Sequence, residues 1–347
     1  MLAVPPTGYS GTERVVACIV DELMRRGHQV TLFASGDSDV ACELVPIIPQ
    51  SLWSMEYRGD VSAFLQLAAA TVWREHERFD VIHSHLEHHG FLFARHCPTP
   101  VVTTLHGRLD VAGIPELLKE FRDVPLVCIS ESQRRWREDA NWVGTIHHGL
   151  PLASAPFNGE VGDYLCFVGR ITPEKGVIAA IELARRTQLP LRVVAKVYDE
   201  HEQDHFAEVV QPAIDDGVVE FLGELPPLER DPIIAGARAT IMLGAWPEPF
   251  GLVAIESMAT GTPVIARRAG ALTETVVHGI DGYLVDDVDE AALAVDLSRG
   301  LDRAGIRRRA LERFSPERMI DDYEVVYQRL IAARRTGSLT SASAAAS

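Results

Sequence analysis

Two rhythms of apolar and polar positions alternate along this chain. Short apolar runs such as 101–106 and 191–197 read as strands covered on both faces, as in a parallel sheet. The stretches between such runs repeat apolar residues three and four positions apart, as helices do. In the first half, strands are predicted at 28–35, 43–48, 79–83, 101–106, 126–130 and 144–148. The helices include one carrying Val15, Val16, Ile19, Val20 and Leu23 and closed by Gly27, one at 61–76, and an arginine-rich one at 132–139. Residues 1–4 supply at most a stub of strand before Pro5-Pro6, so most of the opening strand of the first βαβ unit is missing. Either the true start lies upstream or the sheet tolerates a very short strand there.

The stretch 149–162, rich in Pro, Gly and Ala, breaks the rhythm and reads as a hinge. A second series comes after it, with strands at 164–169, 191–197, 219–222, 240–243, 263–267 and 282–285. Its helices fall at 175–187, 202–214, 229–236, 250–259 and 272–277. Two or three helices fill 290–335, and the tail 336–347 carries too little apolar surface to order itself. Strand and helix alternation twice over predicts an α/β fold of two Rossmann-like, doubly wound domains facing an interdomain cleft. The domains are 1–150 and 163–315, with the hinge at 151–162 and a C-terminal helix, 316–335, that has the option of packing back on the first domain.

Bulk properties narrow the chemistry. A length of 347 residues favours two domains, and an apolar fraction of 47% supplies ample core. A formal net charge of −16 argues against a broad nucleic-acid surface, which needs clustered Lys and Arg. An anionic ligand would instead need a few well-placed cations. Cys18, Cys42, Cys97, Cys128 and Cys166 are odd in number and lie mostly within apolar runs. Buried free thiols in a reducing cytosol fit them better than a disulfide framework. No apolar stretch approaches the length of a membrane span and no signal peptide opens the chain, so a soluble cytoplasmic protein is expected, with peripheral membrane contact left open.

The candidate chemistry centres on 245–261, AWPEPFGLVAIESMATG. Pro247 and Pro249 hold Glu248 in a stiff turn, and a helix starting at Phe250 places Glu256 about two turns inside. The N–H groups of Phe250, Gly251 and Leu252 lack intrahelical partners, and Gly251 admits a ligand close to them. Two carboxylates beside a helix start suit a polyhydroxylated ligand carrying negative charge. Arg170 and Lys175 share the loop after the first strand of the second domain and can hold a diphosphate, with a solvated basic pair as the bland alternative. In the first domain, residues 8–13 form a glycine loop around Gly11, and His106 ends the most apolar strand. The cluster 83–89 (HSHLEHH) matches no zincin spacing, so a metal is not expected there. His147-His148 reads as a polar strand end, Lys196 as a strand-end lysine able to line the cleft, and Arg134, Arg135 and Arg137 as a solvated face or a contact for a phosphorylated or lipid acceptor.

Together these residues resemble the retaining glycosyltransferases of family 4, which have the GT-B fold. Glu248 and Glu256 within EPFGLVAIE are similar to the family's paired glutamates, Arg170 and Lys175 to its diphosphate-binding pair, Gly11 to its N-terminal glycine loop and His106 to its donor-side histidine. Gly270-Ala271, Glu274 and the stretch 279–282 resemble the family's segment after the paired glutamates. The resemblance implies a hexose transferred from a nucleotide-diphosphate sugar, uridine favoured over guanosine and UDP-glucose in mind, to an unidentified small-molecule, saccharide or lipid-linked acceptor. The first domain would be the acceptor side and the second the nucleotide-sugar side. Glu256 would accept the ribose hydroxyls, Arg170 and Lys175 would bind the diphosphate with help from Gly11, and Glu248 with the N–H groups of Phe250, Gly251 and Leu252 would hold the sugar. His106 would lie near the reacting carbon. Neither metal nor other cofactor is expected, since arginine and lysine take the neutralising role.

Three positions depart from the family pattern: the opening strand, Ser10 where another glycine is frequent, and Gly244-Ala245 where bulkier residues are common. The competing readings are a non-catalytic GT-B module that binds a nucleotide-sugar, against which Glu248, Arg170 and Lys175 weigh, and a sugar-nucleotide epimerase of the same architecture. An NAD dehydrogenase is weaker, because neither domain shows GxGxxG followed by an acid at the expected distance.

Overall fold

The structure, a computed structural model, describes residues 3–336 apart from 7, 9 and 58. The chain divides into two compact units, one of Met1–Leu150 with Pro316–Ser347 and one of Pro151–Ser315. Tyr9 of the glycine loop and all but the first residue of the tail lie outside the described residues.

In the first unit the strands are β1 (Thr31–Ser35), β2 (Glu43–Ile48), β3 (Ile82–Ser84), β4 (Val101–Leu105), β5 (Leu126–Cys128) and β6 (Trp142–Thr145). All pair in parallel, as β1-β2 and as β3-β4-β5-β6. The last strand begins and ends earlier than its apolar run suggests because its register with Leu126–Cys128 closes at Thr145, which leaves His147 and His148 beyond the sheet. Two short helices, Phe91–His96 and Ile114–Glu120, escaped the periodicity. Phe91, Leu118, Leu105 and Leu126 from these helices and strands share one core. The long C-terminal helix, Pro316–Arg335, belongs to this unit: Tyr323 is fully buried, and Arg26 pairs with Asp321 and Glu324 at 2.7 Å each.

Among the described residues no strand joins β1 to β3. Between them lies an apolar cavity of about 290 Å³, lined by Leu32, Phe33 and Ala34 of β1, Ile82 and His83 of β3, and Ala68, Ala69 and Val72 of the helix Ser62–Glu75. Ala3 and Val4, expected as a strand stub, are buried but take no strand pairing.

The second unit is one parallel sheet of β7 (Leu165–Arg170), β8 (Leu191–Lys196), β9 (Val219–Gly223), β10 (Ala239–Met242), β11 (Val264–Arg267) and β12 (Gly282–Val285). Its order is β12-β11-β10-β7-β8-β9. The order reverses between β7 and β10, and in such doubly wound sheets ligands bind beyond the carboxyl ends of the strands at that reversal. Leu165, Phe167, Leu191, Val193, Ile241 and Ile265 form the main core of this unit, with the helix Val177–Thr187 packed on it through Val177, Ile181 and Ala184.

Candidate functional site

The crevice at the β7/β10 reversal is built by two loops that touch through glycines. Gly176 has φ +80 and starts the helix Val177–Thr187, so Lys175 sits in the short turn before that helix rather than inside it. A side chain on Gly176 would meet the backbone of Leu243 and Gly244 at 2.6 Å, and one on Gly244 would meet the carbonyl of Glu174 at 2.4 Å. Gly244, which departs from the family pattern, is thus what lets the two loops close on each other. The result is an ion pair across the reversal: Lys175 Nζ lies 2.9 Å from Glu248 Oε2 and 4.4 Å from the centre of the Trp246 ring. Both charged side chains stay partly open, at 22% and 17%. Glu248 is fixed from behind, its carbonyl accepting the Ala271 N–H at 2.8 Å.

The other predicted residues of this unit divide between that crevice and its walls. Arg170 ends β7 and donates through Nε to Glu202 Oε1 at 2.6 Å, with Asp199 at 3.7 Å, while 44% of its side chain remains exposed. Glu202 is fully buried, accepts the Tyr198 N–H at 2.7 Å, and donates its own N–H to Asp199 at 2.9 Å. Lys196 stands level with Arg170 in the β7/β8 register and lies 3.4 Å from Glu224. Gly251, at φ +88, delays the helix to Leu252–Ala259, so Glu256 stands about one turn inside rather than two. A side chain on Gly251 would meet Leu272 Cδ2 at 2.9 Å, so close packing and its backbone angle require the glycine. Phe250 is buried with its ring against Phe314. Glu256 is 5% exposed and accepts Arg230 Nη2 at 2.8 Å. Glu256 and Asp231 together raise the pKa of Arg230 against the cost of its burial.

In the first unit, Gly11 caps the helix Thr12–Arg25 and Ser10 hydrogen-bonds Glu13. His106 follows β4 and is gripped on both sides of its peptide. Glu87 Oε1 accepts the N–H groups of His106 and Gly107 at 2.8 and 3.1 Å, and Gln133 Nε2 donates to the carbonyls of Leu105 and Gly107 at 3.0 and 2.8 Å. Its ring links two others: His85 Nδ1 to His106 Nε2 at 2.9 Å, and His106 Nδ1 to His148 Nε2 at 3.3 Å. His83 continues the group, 4.1 Å from His85 between ring centres and bonded to Thr104 and Tyr327. A neutral imidazole has one N–H, so both N···N bonds point the same way along the row. Enclosure pushes His106 down to about 4 and His83 to about 3, lowers His85 and His148 as well, and raises Glu87 to about 7.

His148, expected as a polar strand end, is instead 3% exposed and stacked on His106, because the chain turns inward once β6 has ended. Sequence reasoning missed Glu87, Gln133, His85, His148, Arg230 and Glu202 as supporting groups. The HSH run at the end of β3 was a usable signal, and nothing local marks Gln133 or Arg230. Among the described residues no group of three His, Cys, Asp or Glu is placed to hold a metal ion, and no helix is long and apolar enough to cross a membrane. All five cysteines are free thiols.

Residues 157–315 match the family model for glycosyl transferases group 1, and residues 9–146 match that for Glycosyltransferase Family 4. The chain is 31% identical to the D-inositol 3-phosphate glycosyltransferase of Frankia alni, over 85% of this chain and 87% of that protein. Among solved structures it is similar to AviGT4, a glycosyltransferase involved in avilamycin A biosynthesis, with TM-score 0.72 and 24% identity over 96% of this chain and 93% of that one. It is also similar to Anabaena HepE in complex with UDP, with TM-score 0.69 and 18% identity over 95% and 98% of the two chains.

Proposed function

Because the chain belongs to glycosyltransferase family 4, and so to the glycosyltransferases of the GT-B fold, we propose that it moves a hexose from a UDP-sugar to an acceptor hydroxyl with retention of anomeric configuration. The observation that carries the reading is the Lys175–Glu248 pair at the point where the sheet order reverses, with Arg170 at the end of the adjoining strand. The half-open Lys175 and Arg170 bind the diphosphate, and Glu248 orients both Lys175 and the sugar hydroxyls. Glu256, on its Arg230 platform, accepts the ribose hydroxyls. Gly11 contributes backbone contact to the phosphates, and His106, neutral at pH 7, exchanges its ring bond to His85 or His148 for one to the sugar.

In the reaction, the acceptor oxygen forms a bond to the anomeric carbon on the face from which the diphosphate leaves. The carbon–oxygen bond to phosphate breaks with its electron pair, and the leaving phosphate oxygen takes the acceptor proton. Arg170 and Lys175 neutralise the charge that develops on that oxygen, the role a divalent cation plays elsewhere. UDP in the HepE structure supports uridine as the base. A cytoplasmic location goes with this reading and with the free thiols.

A thermal-shift panel of UDP, GDP, ADP and the corresponding sugars tests the donor, since binding to the folded state raises Tm in step with affinity. UDP and UDP-glucose should give the largest shifts, and UDP release from UDP-glucose should persist in EDTA. No shift with any nucleotide would leave a non-catalytic GT-B relic, and loss of turnover in EDTA would remove the metal-independent mechanism.

A further inference from the structure

The ladder that holds β4 stops short of His106. On one side its last pair is Ser84 with Thr103, and on the other it is Cys128 with Leu105. Enclosed backbone groups beyond that point need other partners. Each flanking loop sends one side chain back to supply them. Glu87, in the turn after β3, accepts the N–H groups of His106 and Gly107 on a single oxygen, Oε1. Gln133, in the short helix after β5, donates through Nε2 to the carbonyls of Leu105 and Gly107.

Two details set this clamp apart from ordinary filling of backbone bonds. Glu87 holds φ +51, a left-handed angle that glutamate seldom adopts, and such angles gather where geometry serves function. Gln133 is buried and fully committed: its Oε1 accepts the Ile129 N–H at 2.9 Å, and its own backbone N–H donates to Ser130 Oγ at 3.0 Å. The oxygen and nitrogen of its amide therefore cannot trade places. The ring of His106 is held in turn by His85 and His148, so backbone and side chain are both fixed. His106 also follows the carboxyl end of β4, the edge at which ligands of parallel sheets bind.

We propose that Glu87 and Gln133 are positioning residues for the transfer: they stand in for strand partners beyond the end of β4 and hold His106 at the donor sugar. Neither has to touch the sugar, and the assignment rests on the role of His106 proposed above. What Glu87 supplies is one placed acceptor oxygen rather than a charge. Its enclosure, which raises its pKa to about 7, points the same way. Small displacements matter at such a group, since a shift of about 1 Å costs on the order of 100-fold in rate.

Three variants of the full chain separate placement from charge. Glu87→Gln keeps an oxygen able to accept both N–H groups and drops the charge. Glu87→Asp keeps the charge but withdraws the oxygen by one methylene, and aspartate tolerates a left-handed angle better than glutamate does. Gln133→Glu sets a carboxylate oxygen against two carbonyls. Measured as UDP release from UDP-glucose, kcat should fall on the order of 100-fold in Glu87→Asp and Gln133→Glu, with KM and UDP affinity little changed, while Glu87→Gln keeps most of the wild-type rate. Amide exchange at His106 and Gly107 should quicken in Glu87→Asp and not in Glu87→Gln. A Glu87→Asp protein as active as wild type overturns the proposal. So does a Glu87→Gln protein slower than Glu87→Asp, because charge and not placement would then be the requirement. Losses of turnover matched by equal losses of UDP affinity overturn it as well, since general loosening of the fold would give them. Wild-type protein inactive on every UDP-sugar is a separate failure, which removes the proposed function first and the role of Glu87 with it.

Discussion

Lys175 is held by Glu248 and by the face of Trp246 but keeps part of its surface open, so a phosphate can join the pair without the lysine having to move far. Lys175→Ala and Arg170→Ala should each lower turnover by on the order of 100-fold, as for loss of a preorganised charge-stabilising donor, measured as UDP release from UDP-glucose. Unchanged turnover in both would remove the diphosphate assignment. Glu202 pairs with Arg170 and accepts the Tyr198 N–H, a bond that a glutamine oxygen can keep, so Glu202→Gln chiefly removes the charge behind Arg170. Glu202→Gln should therefore lower kcat/KM alone but add little to Arg170→Ala, and additive losses in the double variant would separate the two residues. Glu256 is a different case, because Glu256→Ala leaves the buried Arg230 with Asp231 but without this carboxylate, at a cost below the about 3–5 kcal/mol of a buried charge left wholly uncompensated. Its Tm should fall sharply, whereas Glu256→Leu combined with Arg230→Leu should recover much of the loss; calorimetry of the two proteins decides it.

The crevice depends on how closely the loops after β7 and β10 approach. Gly244→Val would place a side chain where the Glu174 carbonyl lies 2.4 Å away, so the loops must part and the Lys175–Glu248 pair with them. The expected result is a Tm loss with a larger loss of nucleotide affinity; a variant of wild-type affinity would show that the loop contact does not position the pair. Much at this scale is legible in the sequence. The alternation of apolar runs marks the strands of both units, and Arg170, Lys175 and Glu248 fall at strand ends or in the loops after them because Gly and Pro mark such loops. The features that escape depend on contacts distant in the chain. Glu256 reads as a ligand group alone because Arg230, 26 positions away, carries no local sign of pairing with it. Gly244 reads as a departure because the reason for a glycine lies on a neighbouring loop, and His148 reads as polar because its burial comes from other elements of the first unit.

For the molecule as a whole, the row of enclosed imidazoles sets a pH limit. His106 and His83 are pushed down to about 4 and about 3 by burial, and His85 and His148 are lowered as well, against an ordinary value of about 6.5. Below that ordinary value the unfolded chain takes up protons that the folded chain refuses, so this stability is complete above about pH 6.5 and drains away as pH falls through 4. Glu87, raised to about 7, works in the opposite sense: its contribution is present below the usual carboxylate range and fades as pH rises to 7. Four imidazoles outweigh one carboxyl. Scanning calorimetry should show Tm dropping steeply between pH 7 and 5, with a shallower slope in His148→Leu; parallel slopes would place the acid sensitivity elsewhere. The helix Pro316–Arg335 has a consequence for synthesis. Tyr323 and Tyr327 complete the packing around His83 and Thr104, yet they follow the whole second unit in the chain. The second unit, encoded as one uninterrupted stretch, can finish while translation continues, whereas the first must wait with its histidines uncovered until the helix Pro316–Arg335 emerges. Of the two units, the one whose translation begins first is thus the one that matures last, and a stop codon shortly before residue 316 would spare the second unit and ruin the first.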